Sequence, residues 1–67
     1  MRGSVLEFDE DKGFGAVRVA GGDAEYFFHC TAIADGTRTI TVGTEVTFDV
    51  VAGHLGRYEA ANISPAS

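Results

Sequence analysis

The sequence contains no tryptophan and only one cysteine and one proline. A single cysteine, Cys30, excludes a disulfide within the chain and a sulfur-rich metal site built from one copy, and we interpret it as a buried free thiol. No apolar run approaches the roughly 20 residues that a membrane-spanning helix needs. Because residues 1–4 lead directly into a strand pattern and not into the apolar core of a signal peptide, we expect a cytoplasmic protein with no membrane partner.

Positive charge is also scarce. Five Lys and Arg stand against ten Asp and Glu, so the net charge is −5 and the pI is about 4.6. Nucleic-acid-binding domains gain much of their affinity from cations that neutralise phosphates, so in this chain that contribution must be small or local. Two histidines and one cysteine match no zinc spacing, and the acidic run at 9–11 lacks the spacing of a calcium loop. We therefore predict no metal and no cofactor.

The 67 residues are enough for one small domain, which we assign to residues 1–67. Apolar and polar residues alternate with a period of two, and no segment keeps a helical period over ten residues. In residues 45–50, for example, Val46, Phe48 and Val50 share one face. The pattern is typical of half-buried antiparallel strands, and it predicts an all-β fold.

Residues 13–19 and 25–30 alternate in the same way. Alternation assigns inward positions to Gly15, Val17, Val19, Tyr26 and Phe28, and outward positions to Phe14, Ala16, Arg18, Phe27 and His29. Turn-rich stretches at 9–13 and 20–23 join these strands to the first one and predict a three-stranded meander.

A longer connection over residues 31–42 leads to the fourth strand, and Gly53-His54-Leu55-Gly56 turns the chain into a last strand at 57–63. Five short strands in this order suit a small antiparallel barrel, because closure removes the sheet edges that invite aggregation.

The residues with the clearest chemistry are Lys12-Gly13-Phe14-Gly15 and Phe27-Phe28-His29. Glycines let a ligand approach the backbone, lysine offers a charge for phosphate, and phenylalanine rings offer faces on which bases stack. If the second and third strands pair, Phe14 lies beside Phe27 and His29. These segments predict a base-stacking surface, although rings that pack under a loop or stand singly on the surface are an alternative.

These two segments resemble the two ribonucleoprotein motifs of the bacterial cold-shock domain family. The similarity extends from Gly3 to Ile63 and includes Gly43 and the turn at 53–56. It implies an oligonucleotide-binding (OB) fold, a five-stranded barrel that binds single-stranded RNA or DNA in the manner of an RNA chaperone. The residues onto which the family's base-stacking and phosphate-binding roles carry over are Phe8, Lys12, Phe14, Phe27 and His29.

Three departures from the family remove stacking rings. Glu7 stands where the family usually has a tryptophan, Ala16 replaces the second aromatic residue of the first motif, and Cys30 replaces the aromatic residue after the histidine. Each base-aromatic stack contributes roughly 1–3 kcal/mol, so we expect weaker binding than is typical of the family, with little sequence preference. Arg57 and Tyr58 of the last hairpin are candidates to supply one cation and one ring.

The remaining candidate site residues have weaker support in the sequence. Arg18 is a possible phosphate contact, whereas Arg38 and His54 are better interpreted as solvated loop residues. His29 and Cys30 are adjacent, but alternation along a strand sends them to opposite faces, so they do not form a catalytic pair. We therefore predict no enzyme activity and no small-molecule substrate.

A rival hypothesis belongs to a different class. The acidic first hairpin and the lost rings are also consistent with an OB-fold interaction module that binds a protein partner and has lost most of its affinity for nucleic acid.

Overall fold

The computed structural model describes residues 1–34, 36, 39–53 and 56–66. The elements within them are β1 (Arg2–Asp9), β2 (Phe14–Val19), β3 (Glu25–His29), a short 3-10 helix (Cys30–Ala32), β4 (Glu45–Ala52) and β5 (Tyr58–Pro65). The all-β prediction is confirmed, and β5 continues two residues past its predicted end. Arg38 and His54, considered above as loop cations, lie outside the described residues. No helix in the described ranges is long and apolar enough to cross a membrane.

The strands close into a barrel in the order β1-β2-β3-β5-β4. The predicted meander is confirmed, since β1 pairs with β2 and β2 with β3. Neighbouring strands run antiparallel except for β3 and β5, which run parallel and meet where Phe27 lies opposite Glu59. This contact joins the meander to the last hairpin and closes the cylinder.

The core is formed by the inward positions that alternation predicted, together with residues of β1, β5 and the connection after the 3-10 helix. Phe28, Val17 and Val46 are completely buried, and Phe48 is 2% exposed. Burying a side chain of this size contributes roughly 1.5–3 kcal/mol. The remaining buried apolar residues are Val5, Ile33, Ala60 and Ile63.

A bulge in β1 reverses which residues of its second half point into the barrel and which point outward. The register with β2 shifts between Val5 and Glu7. Before the shift Val5 points into the core opposite Val17, and after it Phe8 lies opposite Gly15 on that same inner side. One extra residue in a strand reverses the alternation beyond it. Glu7 is therefore exposed on the outer face.

The turn between β1 and β2 is held by Asp9. Its Oδ1 accepts hydrogen bonds from the backbone N–H groups of Asp11 at 3.0 Å and Lys12 at 3.1 Å. Gly13 donates its N–H to the Asp9 carbonyl at 2.8 Å and has a φ of 74°, a conformation that side chains rarely adopt. The turn thus fixes Lys12 immediately before the strand that carries Phe14.

Gly15 allows β1 to pass close over β2. A Cβ atom at this position would overlap the carbonyl oxygen of Glu7 and would lie 3.0 Å from the Phe28 ring. Both neighbours are fixed, one as ladder backbone and the other as a fully buried ring. There is therefore no room for a side chain at position 15.

We therefore expect Gly15→Ala to lower the free energy of unfolding by about 1–3 kcal/mol, the usual cost of overpacking. Urea unfolding followed by far-UV circular dichroism measures it. Gly22→Ala is the matched control, because a Cβ there meets no atom within 4 Å. It should be neutral or stabilising by up to about 1 kcal/mol. Equal losses for the two variants would contradict the close-approach explanation.

Candidate nucleic-acid interface

Three aromatic side chains lie together on the outer face of β2 and β3. The register places Phe14 opposite His29 and Ala16 opposite Phe27. The Phe14 and Phe27 rings are 5.2 Å apart between centroids and tilted by 39°. Phe27 is 45% exposed, His29 is exposed and Phe14 is half-buried. The predicted juxtaposition is confirmed, and we call Phe14, Phe27 and His29 the aromatic patch.

Lys12 stands at the edge of the aromatic patch. Its Nζ lies 5.9 Å from the centroid of the Phe14 ring, within the range of a cation-π contact. An ammonium group in this position meets both a ring face and any phosphate that passes along the patch. Because the same turn carries the carboxylates of residues 9–11, the positive charge acts locally, inside an acidic surround.

A small cavity opens beside Phe14. It has a volume of about 210 Å³ and is lined by Glu7, Phe8, Asp9, Lys12 and Phe14. A ring, an ammonium group and carboxylates therefore meet in one depression next to the aromatic patch. This combination suits a planar polar ligand such as a nucleobase.

A larger cavity of about 650 Å³ lies at the other end of the first hairpin, where Arg2 and Arg18 are among its lining residues. Arg18 already pairs with Glu25 at 3.4 Å, and both side chains are about half exposed. Such an exposed pair contributes little energy, so Arg18 can release its partner for a phosphate. This cavity has no aromatic ring in its lining, and we place the site at the aromatic patch.

Phe8 does not lie on the aromatic patch, contrary to the role carried over from the family. The bulge in β1 turns it to the inner side, where its ring stacks on Phe28 at 5.8 Å between centroids and 6° between planes. One part of Phe8 still reaches the wall of the small cavity. Its main contact supports the core beneath the patch.

The last hairpin also differs from expectation. Gly53 donates its N–H to the carbonyl of Arg57, and Tyr58 pairs with Ala52. Tyr58 is 66% exposed, but in the alternation of β5 it falls on the side of buried Ala60. By this alternation Tyr58 does not share the outer face with Phe27, which argues against the expectation that it supplies a ring to the base-stacking surface.

The residue of β5 that lies beside the aromatic patch in the strand register is Glu59. It lies directly opposite Phe27 in the parallel contact of β3 and β5. Its side chain folds over Gly53, where a Cβ atom would overlap it. Sequence reasoning missed Glu59, because a contact between residues 27 and 59, which are far apart in the chain, leaves no local signal.

His29 and Cys30 are close in space, so the prediction that they point to opposite faces is wrong. β3 ends at His29 and the 3-10 helix begins at Cys30, which interrupts the alternation. The thiol Sγ lies 3.8 Å from His29 Nδ1, and the same nitrogen is 3.3 Å from the hydroxyl of Thr31. Cys30 is also partly exposed, not buried. Among the described residues no group of three or more potential metal ligands occurs.

A family model described as the 'Cold-shock' DNA-binding domain matches residues 1–66. Cold shock protein CspD of Bacillus subtilis is 44% identical, and the match covers 94% of each chain. Cold shock protein CspB of Bacillus caldolyticus is 43% identical with the same coverage. Among solved structures, Drosophila Unr CSD456 superposes with a TM-score of 0.79 at 30% identity over 98% of this chain, which spans 26% of that longer one.

Substitutions of Phe8 and Phe27 are expected to differ in their effect on the stability of the protein. Phe8→Ala removes a half-buried ring that packs on Phe28, so we expect the free energy of unfolding to fall by about 2 kcal/mol. Phe27→Ala removes a ring that is 45% exposed, and the loss should stay below about 1 kcal/mol. Urea unfolding compares the two. Losses in the reverse order would contradict the inward placement of Phe8.

Proposed function

Because the chain belongs to the cold-shock DNA-binding domain family, whose members bind single-stranded nucleic acids, we propose that its aromatic patch holds unpaired bases of RNA or DNA by stacking. The observation that carries the proposal is the pairing of exposed Phe27 with half-buried Phe14, whose ring centroids are 5.2 Å apart. Two rings at that separation offer stacking faces for neighbouring bases on a rigid barrel wall.

The other site residues take supporting roles. His29 extends the row of rings, since it lies opposite Phe14. Lys12 meets the backbone phosphates, and exposed Arg57 adds a second cation from the last hairpin. Phe8 acts from below, by holding Phe28 and the strand under the patch.

Binding is weaker than in a family member with a full set of rings. Glu7, Ala16 and Cys30 replace three aromatic positions, and each stack is worth roughly 1–3 kcal/mol. Even with imperfect additivity, the loss amounts to at least about two decades in affinity. A protein that binds RNA this weakly also releases it readily, which suits the transient opening of RNA hairpins by an RNA chaperone-like protein.

Nucleic-acid binding is favoured over the interaction-module hypothesis. The similarity to cold shock proteins covers nearly the whole chain, and the two motif strands keep the paired rings of Phe14 and Phe27 on their outer face. The protein acts without turnover chemistry, since stacking and release require no nucleophile. A cytoplasmic location and the assignment of residues 1–67 to one domain stay predictions.

Removing either ring of the pair is expected to weaken binding. Phe14→Ala and Phe27→Ala should each reduce affinity for a pyrimidine-rich single strand by roughly 5- to 100-fold, the value of one lost stack. Fluorescence anisotropy of a labelled oligonucleotide measures it. Tyr58→Ala is the aromatic control, because Tyr58 is more exposed than Phe27 but lies on the other side of its strand. Its effect should be less than about threefold.

The salt dependence tests whether stacking or charge dominates. With few cations near the patch, the slope of log affinity against log salt should be shallower than about −3, given roughly −0.7 per neutralised phosphate. A steeper slope would contradict the stacking account. No saturable binding at high micromolar concentration would overturn the proposed function and favour a protein partner.

Restoring a lost ring should strengthen binding. Ala16 points outward between Glu7 and Phe27, so Ala16→Phe adds a ring on the same face. We expect affinity to rise by roughly 5- to 100-fold, the reverse of deleting one stack. The same anisotropy titration measures it, with Ala16→Leu as an apolar control without a π-face. An equal gain for both variants would show that apolar area and not stacking is responsible.

A further inference from the structure

Glu7 lies in register with the aromatic patch. The pairing of β1 with β2 places Glu7 opposite Ala16, and the pairing of β2 with β3 places Ala16 opposite Phe27. Neighbouring strands are about 5 Å apart, so Glu7 and Phe27 are separated by about 10 Å across the small side chain of Ala16. A base that stacks on Phe27 and extends over Ala16 therefore points one edge at Glu7.

The carboxylate of Glu7 is available to such an edge. It is exposed, it lines the small cavity beside Phe14, and it makes no hydrogen bond or ion pair with residues that the structure describes. Two neighbouring carboxylates are already engaged. Asp9 accepts two backbone N–H groups of its own turn, and Glu10 accepts a hydrogen bond from the hydroxyl of Thr39 at 2.9 Å. Glu7 is thus placed to accept hydrogen bonds from a ligand, and it does not stabilise the turn between β1 and β2 as Asp9 does.

An ionised carboxylate only accepts hydrogen bonds. The Watson–Crick edge of guanine presents two adjacent donors, N1–H and the N2 amino group, which match both carboxylate oxygens. Cytosine and adenine present one amino donor beside a ring nitrogen that accepts. Uracil and thymine present a single N3–H between two carbonyl oxygens, and these repel a carboxylate. The chemistry ranks guanine first and uracil or thymine last.

We propose that Glu7 makes the site selective for bases with an exocyclic amino group, above all guanine. This inference rests on the proposed function, because it concerns the base that stacks on Phe27. Glu7 selects the base, whereas the rings of the aromatic patch provide the stacking. A bidentate contact of a side chain with a base edge discriminates by roughly 5- to 100-fold.

The experiment uses a labelled oligothymidine heptamer whose central base is thymine, guanine, hypoxanthine or cytosine. The wild-type protein should bind the guanine heptamer at least about fivefold more tightly than the all-thymine one. Hypoxanthine, which lacks the N2 amino group, should lose most of that advantage. The heptamer is too short to fold on itself, so differences in affinity report on the protein.

The substitution Glu7→Gln tests whether Glu7 causes the preference for guanine. The amide offers both a donor and an acceptor and so pairs with any base edge, and the preference for guanine should fall below about twofold. Glu45→Gln is the matched control, since it removes the same charge from an exposed residue of β4 near Ser4. It should keep the wild-type ranking. Both positions are on the surface, so folding should be unaffected.

The outcomes distinguish the inference from the function on which it rests. Equal binding of all four heptamers by the wild type would overturn the role of Glu7 and leave base stacking intact. A guanine preference that persists in Glu7→Gln would likewise overturn it. If no heptamer binds saturably, the proposed function fails and the inference fails with it.

Discussion

The bulge between Val5 and Glu7 determines what each face of the first hairpin presents. Without it, strict alternation from Val5 would turn Glu7 into the core and Phe8 out to solvent. With it, the carboxylate reaches the outer surface and the ring joins the core. The close approach of β1 over Gly15 and the parallel stack of Phe8 on Phe28 both depend on this shift. The aromatic patch is supported from below by the same contact.

Much of the fold could be predicted because most strands obey their alternation. Val17, Phe28, Val46 and Phe48 are buried as the period of two requires. The pairing of Phe14, Phe27 and His29 also follows from two adjacent strands joined by a short turn. Local pattern and short connections carry enough information to bring these residues together.

What could not be predicted lies where alternation is interrupted or where distant strands meet. The bulge in β1 reversed the side of Phe8, and the 3-10 helix at Cys30 turned its thiol toward His29. The parallel contact of β3 with β5 brought Glu59 and not Tyr58 beside Phe27. The neighbouring residues give no signal for any of these features, and the contact of β3 with β5 depends on the tertiary closure of the barrel.

The balance of forces at the interface differs from that of a basic nucleic-acid-binding domain. With a net charge of −5, the chain as a whole repels phosphates, and in the proposed binding mode attraction depends on ring faces and on Lys12 held over Phe14. Stacking is short-ranged and persists in salt, whereas the repulsion is screened over about 8 Å. A carboxylate beside a stacked base then has a use, because it disfavours the edge of uracil or thymine, in which two carbonyl oxygens flank the single N3–H donor. The feature that weakens contact with the backbone is thereby the feature that can distinguish bases.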